Sequence, residues 1–290
     1  MAALEMINEI VPGERVHATG YCLGGTILAI AAAAMGRDND DRLASLSLLA
    51  AQTDFSEAGE LMMFIDESQV SALEDLMSAQ GYLDARQMSG AFYALRANEM
   101  LWSRFVERYL MGVKVKATDL DAWLADGTRL PARMHSEYLR TMFLENQFAE
   151  GTLRVGAHHD AVAIRDINTP IFAVGTERDH IAPWRSVHKI ALFADVETIF
   201  LLSGGGHNTA IVSPPGKPKS YFRKQVTPSS ANYADPDEWA ARAPYHDGSW
   251  WPEWAAWLVS RSSDKRAAAL ALGGANRRDF GAAPGGYVME

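Results

Sequence analysis

The chain has 290 residues, a formal net charge of −9 and a sequence pI near 5.4; 48% of its residues are hydrophobic, 22% charged and 10% aromatic. These values fit a globular chain long enough for one large domain, or for a core domain with an insertion, and the acidic balance argues against a nucleic-acid surface. No apolar run approaches the ~18 residues of a membrane span, Met1 to Pro12 lacks the pattern of a secretory signal, and the single cysteine excludes an intrachain disulfide and fits a reducing cytoplasm.

Ala2 to Ile10 reads as a short helix ended near Pro12 and Gly13. Arg15 to Thr19 reads as a short strand, Gly20 to Gly25 as a turn, and Thr26 to Met35 as a buried Ala-rich helix closed by Gly36. Leu43 to Leu49 has the continuous apolar character of a buried parallel strand. From Phe55 to about Gly151 strand signals give way to helical spacing of Met, Leu and aromatic residues, among them Phe92, Leu95, Met100, Trp102, Phe105 and Tyr109. Strands then resume at Ile171 to Val174 and Glu197 to Leu202, separated by a loop and a helix from Trp184 to Phe193. Gly204, Gly205 and Gly206 form a flexible loop. Lys217, Lys219, Arg223 and Lys224 read as a solvated basic loop that could alternatively meet phosphates. Ser249 to Val259 reads as a terminal helix carrying Trp250, Trp251, Trp254 and Trp257. Strands alternating with helices around a helical insertion argue for an α/β sheet with a cap. The parts are 1–54 with the first two strands, 55–151 as the cap, 152–260 as the rest of the core, and 261–290 as a loosely ordered tail.

Gly20-Tyr21-Cys22-Leu23-Gly24 has the form of a nucleophile elbow with cysteine in the serine position. Gly20 and Gly24 would let strand and helix pass close beside a strained turn. That turn exposes Cys22 and aims the Leu23 N–H at a developing oxyanion, while the N-terminus of the following helix favours a thiolate. Free cysteines are usually small core residues; the glycine context argues otherwise here. A thiol needs a base, and His207 follows the glycine loop after the last apolar strand. Asp179, 28 residues earlier, lies in the loop after Ile171 to Val174, so Cys22, Asp179 and His207 occur in the nucleophile–acid–histidine order of the α/β-hydrolase fold. Asp160 and Asp195 remain alternative acids, and His158, His159 and His180 alternative bases; His17 reads as a core histidine. His158-His159-Asp160 lacks the spacing that would support a metal site, and no Gly-rich phosphate motif is present.

These stretches resemble the polyhydroxyalkanoate synthase family. The similarity is carried by Gly20 to Thr26, Gly175 to Trp184 and Ser203 to Asn208. Tyr138-Leu139-Arg140, Leu144-Glu145-Asn146 and Gly248 to Pro252 add to it. The tryptophan-rich helix and the Pro284 to Val288 tail resemble the single-subunit enzymes most. The resemblance implies that Cys22 accepts a 3-hydroxyacyl group from a coenzyme A thioester and carries the growing polyester. It implies that His207 activates the thiol and, with Asp179, deprotonates the attacking 3-hydroxyl. It also implies a cytoplasmic enzyme at polymer granules, a homodimer, and no cofactor, coenzyme A being part of the substrate. Only 21 residues precede Cys22, too few for the strands that flank an elbow strand on its far side and for the loop giving a second oxyanion donor. The chain therefore reads as N-terminally truncated. Two readings compete with the synthase: a cysteine-dependent depolymerase or thioesterase of the same fold, and a non-catalytic fragment that binds the granule or a partner subunit.

Overall fold

Apolar residues on both faces of successive strands require a sheet covered on both sides. The computed structural model describes residues 1–88, 90, 102–103, 105–114, 118–156, 159–229 and 231–264. Its main sheet has six strands in the order β1 (Val16–Tyr21), β2 (Leu43–Leu49), β3 (Ile171–Thr176), β4 (Thr198–Ser203), β5 (Tyr221–Thr227) and β6 (Tyr245–Asp247). The first four are parallel; β5 and β6 run antiparallel to their neighbours. Alternation sorts the side chains: Ile171, Ala173, Phe200 and Leu202 join one core cluster, Phe172, Val174, Ile199 and Leu201 the other.

The first face is covered by α2 (Leu23–Arg37), which buries Ala29, Ala32 and Ala33, by α6 (Trp184–His188), and by α7 (Pro236–Arg242) through Trp239. The second is covered by α8 (Trp251–Val259), with Trp250 at its N-cap and Trp257 buried beside Phe172. α1 (Ala2–Ile10) matches its expected span and buries none of its residues. Between β2 and β3 the described residues are mainly helical: α3 (Glu67–Ser78), α4 (Asp119–Ala125), α5 (Ala132–Tyr138) and shorter turns. This segment is anchored to the main core by Phe55, Val70, Leu139, Met142 and Phe148, while Trp102, Tyr109, Leu110 and Met111 are exposed. Two short antiparallel ribbons, Tyr82–Leu83 with Leu130–Pro131 and Leu153–Val155 with Asp160–Val162, escaped the sequence reading because two or three residues show no period. Phe92, Leu95, Met100, His158 and residues 265–290 lie outside the described residues.

Three expectations need correction. The turn after β1 is a single residue, because β1 continues to Tyr21 and α2 begins at Leu23. The helix expected from Trp184 to Phe193 is split at Lys189 into α6 and a short turn Ile190–Phe193. The basic stretch is not a solvated loop throughout: Arg223 and Lys224 lie on β5. Arg223 donates to the Ala243 carbonyl (3.0 Å) and stacks over Tyr245, and Lys224 pairs with Glu253. Phe222, just before them, is buried, and the long basic side chains keep their charges at the rim.

Candidate active site

β1, β3 and β4 deliver one residue each to the same end of the sheet, the carboxyl end where ligands of open parallel sheets bind. Cys22 joins β1 to α2 with φ 52° and ψ −128°, a left-handed conformation that a side-chain-bearing residue adopts only when its surroundings impose it. The Cys22 N–H donates to the Leu49 carbonyl on β2 (2.9 Å), and its own carbonyl accepts from Gly25 and Thr26 as the first turn of α2 closes. Leu23 is the first helical residue, so its N–H belongs to the turn whose donors lack intrahelical acceptors.

The steric argument for glycine holds at Gly20, where a Cβ would come within 2.5 Å of the Gly25 Cα and 2.7 Å of the Gly24 carbonyl. It does not hold at Gly24, where a Cβ would meet nothing within 4 Å. The second tight glycine is Gly25, whose Cβ would lie 2.4 Å from that of Ala51. Helical rotation explains the difference: position 25, not 24, faces the sheet.

Asp179 follows β3 by three residues, and its carboxylate is fully enclosed. One oxygen accepts from the Ile181 and Ala182 N–H groups, both at 2.9 Å; the other accepts from the Thr176 hydroxyl at 2.6 Å and from His207 Nδ1 at 2.7 Å. Burial alone would raise its pKa, but the His207 contact and these donors hold it below the usual carboxylate value. His207 follows β4 on the glycine loop. A Cβ at Gly204 would enter the Tyr221 ring, and Gly205 has φ 128°. The Gly205 carbonyl accepts from the Arg178 N–H (2.9 Å), which ties the histidine loop to the acid loop. Burial depresses the imidazolium of His207, but its hydrogen bonds to Asp179 and Cys22 outweigh this and lift its pKa to about 9. With Nδ1 committed to Asp179, Nε2 serves the sulfur side. Asp179 is thus bonded to His207, and Cys22, directly after β1, lies close enough to bear on the charge of the imidazole, an arrangement suited to nucleophilic acyl transfer.

Among the described alternatives, none is shown bonded to His207 or Asp179 through its side chain. Asp160 and Asp195 are exposed, as is His159, and His180 receives the Glu60 N–H on its carbonyl. His17 is bonded to Ser45 (2.6 Å) and Ser262 (3.1 Å). Three supporting roles are not legible in the sequence. Thr176 bonds the acid, Tyr21 and Asn208 bond each other beside His207, and the Trp250 and Trp251 indoles donate to the Ala210 and Ile211 carbonyls at 2.9 Å. The tryptophan helix thereby fixes the chain just beyond the histidine.

Comparison with known proteins agrees with this architecture. The α/β-hydrolase fold family matches residues 2–214. A poly(3-hydroxyalkanoate) polymerase subunit of Rhizobium etli is 38% identical over 288 residues, an alignment covering 99% of this chain and 44% of that one. A poly(3-hydroxyalkanoate) polymerase of Methylorubrum extorquens is 37% identical, covering 99% and 46%. The polymerase subunit of Cupriavidus necator is 32% identical, covering 99% and 49%. The chain spans about half the length of the curated relatives it matches.

Proposed function

The chain belongs to the α/β-hydrolase fold family, and from that premise we propose that it is the catalytic part of a polyhydroxyalkanoate synthase. It transfers 3-hydroxyacyl groups from coenzyme A thioesters to a growing polyester, with Cys22 as the covalent carrier. The observation that carries this reading is Cys22 on a strained elbow at the end of the sheet where an imidazole is held through Nδ1 by the enclosed carboxylate of Asp179. The polymerase relatives, aligned over nearly all of this chain, supply the substrate class.

The chemistry follows from the charge states. The Cys22 thiolate attacks the thioester carbonyl while the Leu23 N–H receives the oxyanion. The C–S bond to coenzyme A breaks, and the imidazolium of His207 gives its proton to the departing thiolate. Cys22 is now a neutral thioester, so its contribution to the raised pKa of His207 disappears. The imidazole, still oriented by Asp179, is then a neutral base able to take the proton of a 3-hydroxyl. That alkoxide attacks an acyl thioester, forms the ester bond and expels a thiolate. A thioester suits this task because it stays reactive toward an alcohol. The helical segment over the site would keep water from ending the chain by hydrolysis. The expected partners are 3-hydroxyacyl coenzyme A, the polyester and its granule surface, and a second copy of the chain.

The test is a paired assay of coenzyme A release and polymer growth from 3-hydroxybutyryl coenzyme A, with the Cys22→Ala variant alongside. Loss of both in the variant is expected; polymer growth by Cys22→Ala would refute the reading. Coenzyme A release without polymer in the unmodified chain would indicate the hydrolase alternative.

A further inference from the structure

Tyr21 ends β1, immediately before the nucleophile. Its ring lies 5.2 Å from the His207 imidazole, tilted by 35°, and 6.3 Å from the Trp123 ring of α4. Its hydroxyl donates to Asn208 Oδ1 and lies 3.5 Å from the His207 carbonyl. Burial pushes the Tyr21 hydroxyl well above its usual pKa, with Cys22 and Asp179 adding to the effect, so it is a neutral donor throughout the physiological range. These contacts join residues 187 apart in sequence, one on the elbow strand and one on the histidine loop.

The loop has a reason to need this anchor. It begins with three successive glycines, which give the backbone more freedom than any other residue. Asp179 restrains His207 through Nδ1, a single side-chain hydrogen bond that does not by itself set where the other ring nitrogen points. A second restraint from the Cys22 side would set where Nε2 points.

We propose that Tyr21 is a positioning residue for His207, its ring bracing the imidazole and its hydrogen bond to Asn208 holding the histidine loop over Cys22. The inference rests on the reading of Cys22, His207 and Asp179 as an acyl-transfer triad. It adds that the residue before the nucleophile registers the elbow against the base. Asn208 acts through the same bond.

The chain has one cysteine, so alkylation by iodoacetamide reports on Cys22 alone. The rate is measured on the 290-residue chain at pH 7 and pH 10, with thermal melts to establish that each variant is folded. Tyr21→Phe keeps the ring and loses the hydroxyl. It should slow alkylation at pH 7 by roughly 3- to 10-fold, the range for one lost hydrogen bond, and should match the unmodified chain at pH 10, where a thiol ionises without help. Asn208→Ala should behave alike, and the double variant should be no slower than either single one. Asn208 is partly exposed, so this variant carries the test if Tyr21→Phe does not fold. His207→Gln should give the largest slowing at pH 7. If His207→Gln slows alkylation and Tyr21→Phe does not, the positioning role is wrong and the triad stands. Equal slowing of Tyr21→Phe at both pH values would show a merely structural role and overturn the inference. If His207→Gln itself leaves the pH 7 rate unchanged, the triad reading fails first.

Discussion

The centre of the sheet and its β1 edge carry the site in different ways. In the centre β3 and β4 are flanked on both sides and buried on both faces, every residue of each strand being buried. Their loops to Asp179 and His207 are tied together and pinned by Trp250 and Trp251. At the β1 edge that strand pairs only with β2 among the described residues, and Ile27 of α2 and Met6, Ile7 and Ile10 of α1 expose apolar surface. The nucleophile therefore follows an edge strand, and the acid and base follow the two most deeply buried strands. The elbow's own glycine packing, the Cys22 N–H bond to Leu49 and the Tyr21–Asn208 bond are what hold Cys22 in register with its partners.

Substitutions in the two regions should expose this difference, the largest first. Phe172→Ala, inside the covered centre and fully buried, should cost about 3–5 kcal/mol in denaturant unfolding. A loss below about 1 kcal/mol would mean that the tryptophan-covered face is not a packed core.

Acid should also act through the covered centre. His188 is buried among Trp184, Phe200, Tyr233 and Trp239, and burial lowers its pKa from 6.5 to about 4. The unfolded chain takes up this proton near pH 6.5 and the folded chain only near pH 4, so stability falls as the pH drops through that window. The loss approaches about 3 kcal/mol, and His188→Phe should flatten it. His207 has the opposite sign: its folded pKa of about 9 gives a contribution present in full below pH 6.5 and lost as the pH rises through 9. An acid limb identical in His188→Phe and the unmodified chain would remove the assignment.

At the elbow, Gly20→Ala forces a Cβ against backbone atoms of Gly24 and Gly25 and should cost about 1–3 kcal/mol. Gly24→Ala, which meets open space, should be neutral or slightly stabilising because alanine favours the helix. Reversal of that order in thermal melts would contradict the packing described for the elbow. At the β1 edge, Ile27→Ala, 44% exposed, should change stability by no more than about 0.5 kcal/mol. A large loss there would mean that something covers this face.

The same contrast explains what could be read from sequence. β2, β3 and β4 are parallel strands covered on both sides, so they appear as compact, mainly apolar runs, and the site residues follow from the loops behind them. β5 is covered less completely, and its Arg223 and Lys224 hide the strand behind a basic composition. Motif spacing points to Gly24 as the second required glycine, although the angle at which α2 leaves the sheet transfers the requirement to Gly25. The Tyr21–Asn208 bond spans 187 residues and exists only once the sheet has formed, so no local pattern announces it.

The central claim is that Cys22 carries the acyl group with His207 as its proton partner. Mass spectrometry of the chain after brief incubation with 3-hydroxybutyryl coenzyme A tests it most directly. A 3-hydroxyacyl adduct on the peptide containing Cys22, absent from His207→Ala, is the predicted result. An adduct on another residue, or coenzyme A release with Cys22 never modified, would contradict it.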